Sequence, residues 1–186
     1  MIYEKKLVGK FVTLRSITPE DAEFSYNIRR DPRFVEVTGQ PAYTIDAQLS
    51  YIIEQRKRKG DYYFVTIDNL TKNKIGLIGV YDIIGNSAET GREICIGDAF
   101  CAMEARCLLQ DFIRDVLQLE KLRFVVYKKN ERVVNLCNNL GFIVKEETIR
   151  SGMPCFYYEI TVEENEKALE KSRKLIYDRA VKKKII

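Results

Sequence analysis

The sequence predicts one α+β domain, and three features of its patterning support that prediction. Two amphipathic helical segments come early in the chain, a run of strands follows them, and helices then alternate with strands. The length of 186 residues is close to that of a single domain. A composition of 46% apolar and 31% charged residues is typical of a folded globular chain. We therefore expect one compact, folded unit.

The first elements are marked by changes in hydrophobic period. The segment 10–17 (KFVTLRSI) alternates apolar and polar residues, which predicts a strand. Thr18 stands where a helix N-cap is expected, and Pro32 closes the helix that follows. The segment 31–43 contains glycine and proline and predicts a loop. Apolar residues at helical spacing then predict a second helix over 44–59.

The middle of the chain predicts three strands and a long helix. Alternating patterns over 62–68 and 74–82 are typical of a strand pair joined by a polar turn. The polar segment 85–91 (GNSAETG) predicts a loop, and 92–97 (REICIG) predicts a third strand. Apolar residues at three- and four-residue spacing between 105 and 116 predict the helix.

The last third of the chain completes the pattern. The segment 121–129 predicts a strand, and a short helix over 130–141 ends where a glycine allows a left-handed conformation. The segment 142–162 predicts a closing strand pair. We therefore divide the chain into a domain over 1–162 and a basic, amphipathic helical extension over 163–186.

Composition excludes several classes of function. The chain has no histidine, so Ser-His-Asp and Cys-His catalysis and mixed Cys/His zinc sites are excluded, and we predict no metal site. Five cysteines without a Cys-x-x-Cys pair argue against a disulfide framework. No apolar segment is long enough to form a leader or to cross a membrane, so we expect a cytoplasmic protein without a membrane partner.

One segment carries a resemblance to a known family. In NERVVNLCNNLGF, the residues Asn130, Leu136, Gly141 and Phe142 match the N-x-x-(small)-x-x-L-x-x-x-x-G-F signature of the GNAT acyl-CoA-dependent N-acetyltransferases. The opening segment 7–32 is similar to the branch that acetylates ribosomal-protein N-termini and many small amines. The resemblance implies a mixed, centrally splayed β-sheet flanked by helices, with acetyl-CoA as co-substrate.

The resemblance also implies which residues bind acetyl-CoA. Backbone groups near the end of the third strand would contact the acyl-pantetheine arm, and the first turn of the next helix would donate N–H groups to the diphosphate. The Asn130 side chain would bind a pantetheine amide or cap its own helix. The strand and helix residues are Ile94, Cys95, Ile96, Gly97, Cys101, Ala102 and Met103.

The turn before this helix departs from the family. The chain passes from Gly97 and Asp98 almost directly to Glu104, so the loop is short and its glycines are missing. Asp98 as N-cap would bond to the same N–H groups and repel a phosphate. Either the first turn still binds the diphosphate, or the site is lost and the scaffold remains.

Three side chains are candidates for catalysis. Glu93 would accept the proton of the amine through water, or it is a solvated residue at a strand start. Cys137 occupies the position where many relatives have a tyrosine that protonates the departing thiolate, or it is a small buried hydrophobe. Tyr81 and Asp82 end a neighbouring strand on the acceptor side, or they are an ordinary strand end.

The sequence leaves three functional hypotheses. The first is an N-acetyltransferase that transfers an acetyl group to the primary amine of a small molecule, an amino sugar or a protein N-terminus. The second is a degenerate GNAT-like domain that serves as a binding or regulatory module. The third is nucleic-acid binding through the lysines at 182–184, which the modest net charge of +4 disfavours. Many members of the family pair, so a homodimer is consistent with the resemblance.

Overall fold

The computed structural model describes residues 1–37 and 41–185 and confirms the α+β class. Residues 38–40, in the predicted loop over 31–43, and residue 186 lie outside the described residues. A 3₁₀ turn precedes the first helix, and a π-helical turn extends the third. The elements are β1 (Leu7–Val8), β2 (Val12–Ser16), α1 (Ala22–Arg29), α2 (Ile45–Lys57), β3 (Tyr62–Asp68), β4 (Lys74–Ile84), β5 (Ser87–Cys95), α3 (Ala99–Asp111), β6 (Lys121–Tyr127), α4 (Glu131–Asn139), β7 (Glu146–Arg150), β8 (Met153–Thr161) and α5 (Val162–Lys182).

The strands form one sheet in the order β1-β2-β3-β4-β5-β6-β8-β7. Neighbouring strands are antiparallel except β5 and β6, which are parallel. Within the described residues this parallel pair is joined only at Ser87–Glu89, opposite Lys121–Arg123. Beyond that point both strands continue without pairing with each other, while β5 stays paired with β4 and β6 with β8. The sheet is therefore splayed at its centre, as the resemblance predicts.

Helices cover both faces of the sheet. Helices α1 and α2 pack on one face over a cluster that includes Tyr63, Leu77 and Ile94. Helix α3 packs on the other face over β2, β3 and β4, with Phe112 in contact with three aromatic rings. Helix α4 covers β6 and β8 on that same side. Among the described residues, no helix is long and apolar enough to span a membrane.

The prediction of a loop over 85–91 is wrong. Strand β5 begins at Ser87, and only a tight turn at 85–86 separates it from β4. Ala88 is fully buried in the core, and Glu89 pairs across the sheet with Tyr81. The segment is polar, but its Glu89 is buried and contacts Tyr81 of β4 and Arg150 of β7, which a local sequence pattern does not show.

Helix α5 packs along α3. Leu169 and Ile176 contact Cys107 in a small apolar cluster. Beside it, the Arg173 guanidinium forms an ion pair with Asp111 at 2.7 Å. The helix begins at a capping box, in which the Thr161 hydroxyl accepts from a backbone N–H. The boundary at residue 162 stays a prediction.

A buried carboxylate ties α3 to the turn between β1 and β2. Glu104 is 4% exposed, and its two oxygens accept backbone N–H groups of Lys10, Phe11 and Val12 at 2.7, 2.6 and 2.8 Å. Gly9 is required beside it, because a Cβ atom there would lie 2.5 Å from the Glu104 Cδ. The carboxylate thereby satisfies three donors that no strand partner reaches.

We expect Glu104→Gln to lower the free energy of unfolding by about 1–3 kcal/mol, because its NH₂ group would face one backbone N–H that then lacks an acceptor. Urea denaturation followed by circular dichroism measures the change. The control is Glu163→Gln on the exposed start of α5, where Glu163 forms a surface ion pair with Lys167 and the change should stay within about 0.5 kcal/mol. Equal effects of the two substitutions would contradict the assignment.

Candidate active site

A groove opens where β5 and β6 diverge, and a bulge in β5 sets the directions of its side chains. The register with β4 passes from Leu77–Ile94 to Gly79–Gly91, so β5 holds one extra residue there. Arg92 has a positive φ of 55° at this bulge. As a result Arg92 points toward α1 and α2, whereas Glu93 points toward α3.

Glu93 is held by a cation from α3. The Arg106 guanidinium bonds both carboxylate oxygens of Glu93, with Nη2–Oε1 at 2.6 Å and Nε–Oε2 at 3.0 Å. This two-point contact fixes the position of the carboxylate at the groove. Glu93 is thus a paired carboxylate rather than a solvated strand end, and its role in proton transfer stays a prediction.

The Cys137 thiol from α4 lies in range of the charges of Glu93 and Arg106. It is 4% exposed, and burial raises its pKa to about 11. The thiol is therefore protonated at neutral pH and available as a proton donor. The side chain is also packed against Val126 and Tyr158, as expected for a small buried hydrophobe, and its catalytic role stays a prediction.

Tyr158 from β8 adds a second buried donor. Its ring stacks on Phe124 with centroids 4.8 Å apart, and its hydroxyl lies beside the Cys137 thiol. Burial and the neighbouring thiol raise the pKa of Tyr158 to about 12. Among the described residues, the hydroxyl has no hydrogen-bond partner of normal geometry. Four elements, β5, α3, α4 and β8, thus bring polar groups to one side of the groove.

Tyr81 lies on the opposite face of the sheet, toward α2. Its hydroxyl donates to Glu89 Oε1 at 2.9 Å, and Arg150 from the end of β7 pairs with the same carboxylate. The Tyr81 ring crosses the backbone at Gly91, where a Cβ atom would lie 2.7 Å from the hydroxyl oxygen. Burial and the charge of Glu89 raise the pKa of Tyr81 above its usual range, so Tyr81 is a neutral donor. Its catalytic role stays a prediction.

The predicted pantetheine strand is unpaired on its outer edge. Ile94 and Cys95 pair with β4, and the Ile96 N–H donates to the backbone oxygen of Ile75 at 2.8 Å. No pairing with β6 exists at these positions in the described part of the chain. The edge from Ile94 to Gly97 therefore faces the groove. These residues fit an acyl-pantetheine arm that would add as an extra strand.

The first turn of α3 is already capped. Asp98 Oδ1 accepts the N–H groups of Phe100 and Cys101 at 2.9 and 3.0 Å. The backbone oxygen of Asp98 accepts the Ala102 N–H at 3.3 Å. Met103 is the fifth residue of the helix, so its N–H lies within the helical ladder. A diphosphate would have to displace the Asp98 carboxylate to reach the first of these groups.

Asp98 is also held from the C-terminal helix. Its Oδ2 lies 2.6 Å from Arg179 Nη2, and the Arg179 guanidinium carbon lies 4.0 Å from the Phe100 ring centroid. Burial acts to raise the pKa of Asp98, but the hydrogen bonds from the turn and the charge of Arg179 outweigh it and hold the pKa below its usual range. The groove therefore fits the acyl-pantetheine arm better than the turn fits the diphosphate.

Asn130 caps α4. Its side-chain oxygen accepts the Val133 N–H at 3.3 Å. The amide nitrogen makes no hydrogen bond within the described residues, so it remains available to a ligand carbonyl. The pantetheine role of Asn130 stays a prediction.

Sequence reasoning missed three residues of the site, namely Glu89, Arg150 and Tyr158. Each lies on a different element from the residue it contacts, and each has an ordinary local pattern. The sequence places Arg106 near the predicted diphosphate turn as a cation, and in the structure it pairs with Glu93. No group of three or more Cys, Asp or Glu residues is arranged as a metal site in the described ranges.

A splayed mixed sheet, with a groove that ends at a helix N-terminus, defines the GNAT class of fold. The sequence matches the acetyltransferase (GNAT) domain family over residues 12–143, and the chain therefore belongs to this family. No curated protein is significantly similar to it in sequence.

Solved structures share the fold at low sequence identity. A GCN5-related N-acetyltransferase from Brucella melitensis has 14% identity and a TM-score of 0.76, over 94% of this chain and 86% of that chain. Apo FdhC, a nucleotide-linked sugar GNAT, has 22% sequence identity and a TM-score of 0.76, and the match covers 96% of this chain and 98% of that chain. Spermidine N-acetyltransferase from Vibrio cholerae, in complex with CoA and spermine, has 21% sequence identity and a TM-score of 0.72, and the match covers 84% of this chain and 98% of that chain.

We expect Asp98→Asn to tighten acetyl-CoA binding by up to about 1 kcal/mol. Asparagine keeps the cap, the repulsion between Asp98 and phosphate is removed, and Arg179 loses its carboxylate partner. Calorimetry at low and high salt measures the change. Asp115→Asn, an equal charge change on the exposed turn after α3, should leave the affinity unchanged. Weaker binding to the Asp98 variant at an unchanged melting temperature would refute this position for the diphosphate.

Proposed function

We propose that this protein transfers an acetyl group from acetyl-CoA to a primary amine by direct attack. One observation supports the proposal most: the unpaired edge of β5 meets Glu93, Arg106, Cys137 and Tyr158 at one groove. Membership in the family agrees with this reaction class. Direct attack suits a chain without histidine, because an oriented amine needs only to lose a proton.

Acetyl-CoA supplies the activated acyl group. The backbone of Ile94 to Gly97 orients the pantetheine arm, and the free amide nitrogen of Asn130 donates to one of its carbonyls. Cys101, Ala102 and Met103 form the turn that faces the diphosphate once the Asp98 carboxylate moves aside. This displacement lowers affinity for the donor but leaves the position of the acyl end unchanged.

Two proton transfers accompany the reaction. Glu93 accepts the proton of the amine through water, and its two-point contact with Arg106 fixes the position of the carboxylate. The Cys137 thiol protonates the leaving thiolate, and the Tyr158 hydroxyl beside it stabilises the cysteine thiolate that forms. The Tyr81 hydroxyl, which donates to Glu89, accepts a hydrogen bond on the acceptor side. The side chains of Cys137, Tyr158 and Tyr81 are protonated at neutral pH because each has a raised pKa.

The acceptor is a small-molecule amine, an amino sugar or a protein N-terminus. Two of the solved structures differ in this respect, since one is a spermidine N-acetyltransferase and the other a nucleotide-linked sugar GNAT. We place the chain in the branch that acetylates ribosomal-protein N-termini and small amines, as a cytoplasmic enzyme that forms a homodimer. Two basic residues of α5, Arg173 and Arg179, pair with Asp111 and Asp98, which leaves fewer cations for a nucleic-acid partner and disfavours one.

A binding or regulatory module is the second candidate. The capped turn favours it, because Asp98 holds the N–H groups that a diphosphate would use. In that case the groove would keep its shape but would not bind acetyl-CoA.

We expect acetyl-CoA at about one hundred times its dissociation constant to stabilise the protein by roughly 2.7 kcal/mol, which raises the melting temperature by several degrees. A thermal shift series with acetyl-CoA, free CoA and 3′,5′-ADP measures the effect. A shift with acetyl-CoA and CoA but none with the nucleotide places the affinity in the pantetheine groove. The absence of any shift at millimolar acetyl-CoA would favour the binding module.

We expect Cys137→Ala to lower kcat about a hundredfold with little change in KM for acetyl-CoA, because the departing thiolate loses its proton donor. The release of CoA in steady-state assays measures both constants. Cys107→Ala is the matched control, since Cys107 is equally buried but lies between α3 and α5. Equal kcat values for the two variants would show that Cys137 is a packing residue.

A further inference from the structure

A second group of polar side chains lies on the α1/α2 face, next to the bulge in β5. We call it the acceptor-face cluster, and it comprises Arg29, Tyr51, Tyr63, Tyr81 and Arg92. The Arg92 guanidinium carbon lies 3.9 Å from the Tyr81 ring centroid, 5.4 Å from that of Tyr63 and 5.9 Å from that of Tyr51. Arg29 Nη2 donates to the Tyr63 hydroxyl at 2.7 Å. Five elements thus contribute to one cationic and aromatic surface.

The carboxylates near the acceptor-face cluster already have guanidinium partners. Asp61 pairs with Arg92 at 2.6 Å, and Glu89 pairs with Arg150. Arg29 has no carboxylate within 4.0 Å among the described residues, and its polar partner is the neutral Tyr63 hydroxyl. A guanidinium is charged at every physiological pH. The cluster therefore carries an unbalanced positive charge at Arg29.

An unbalanced, half-buried guanidinium is suited to bind an anion. Burial removes water from the charge, so a carboxylate or phosphate gains more there than at an open surface. The Tyr63 bond fixes the orientation of Arg29, and the remaining N–H groups form the planar fork that binds such oxygens in pairs. Along β5, Arg92 directly precedes Glu93, so the cluster lies one residue along the strand from the predicted proton acceptor, on the other face of the sheet.

We infer that the acceptor is an amine that also carries an anionic group, a carboxylate or a phosphate, which binds Arg29 in the acceptor-face cluster. The inference rests on the acetyl transfer proposed above and narrows its substrate class. A polyamine would instead bring a second ammonium group beside Arg29 and Arg92. Both nearby carboxylates are occupied, so like-charge repulsion there would have no compensation.

A matched series of amines tests the charge preference. 6-Aminohexanoate, hexylamine and 1,6-diaminohexane share one chain and differ in the group at the far end, and glucosamine 6-phosphate with glucosamine repeats the comparison for a phosphate. We expect the anionic member of each set to have a kcat/KM roughly tenfold to a hundredfold above its neutral counterpart, as expected for a charged hydrogen bond. The set with the larger ratio of anionic to neutral kcat/KM shows whether the site prefers a carboxylate or a phosphate.

Variants at Arg29 test the residue. We expect Arg29→Gln to reduce both ratios to about one and Arg29→Lys to restore them in part, because lysine keeps the charge but loses the fork. Arg30→Gln is the control, since Arg30 is the next residue in the chain, is exposed, and donates to the backbone oxygen of Ala42. A preference for diaminohexane, or ratios unchanged in Arg29→Gln, would overturn the inference.

Binding without a donor separates this inference from the proposed function. Calorimetry of the same amines, with no acetyl-CoA present, should show the anionic preference and its loss in Arg29→Gln. Binding with that preference but without acetylation would support the anion site and refute the transferase. Acetylation that is fastest with spermidine would support the transferase and refute the anion site.

Discussion

The early separation of β5 from β6 is the constraint on which the remainder of the structure depends. A parallel pair that is joined over three residues leaves the facing edges of both strands unpaired beyond that point in the described residues, while their other edges pair with β4 and β8. Unpaired backbone groups in a half-buried position need acceptors and donors from elsewhere. The groove therefore offers unpaired backbone donors and acceptors to a ligand. Helices α3 and α4 and strand β8 bring Arg106, Cys137 and Tyr158 to one side of it.

The bulge in β5 divides the chemistry between the two faces of the sheet. Without the extra residue, the side chains of Arg92 and Glu93 would exchange the two faces of the sheet. With it, Glu93 meets Arg106 on the α3 side, and Arg92 meets Asp61 on the α2 side. The α3 side thus holds protonated thiol and phenol groups, and the α2 side holds the guanidinium groups of Arg29 and Arg92. One unusual backbone conformation thereby sends a carboxylate and a guanidinium to different faces of the sheet.

The order of elements was predictable because each has a local pattern, and the tertiary contacts were not. The segment 85–91 was assigned to a loop because it is polar, whereas the partners of its Glu89 are Tyr81 on the neighbouring strand and Arg150, which is 61 residues away. Cys137 was recognised from a motif, but Tyr158 lies on a strand with no motif at all. Asp98 was expected to cap α3, and it does so, while its second partner, Arg179, comes from a helix 81 residues away.

The sequence by itself determined the α+β class, most element boundaries and the absence of histidine chemistry, because periodicity and composition are local properties. It also identified the short, glycine-poor turn at Asp98. The tertiary structure decided which carboxylates are paired, which thiol lies beside Glu93 and Arg106, and which guanidinium lacks a carboxylate partner among the described residues. Those properties depend on burial and on distances between elements. Moving a charge out of water into the protein interior changes its free energy by several kcal/mol, and a local sequence pattern does not show where this happens.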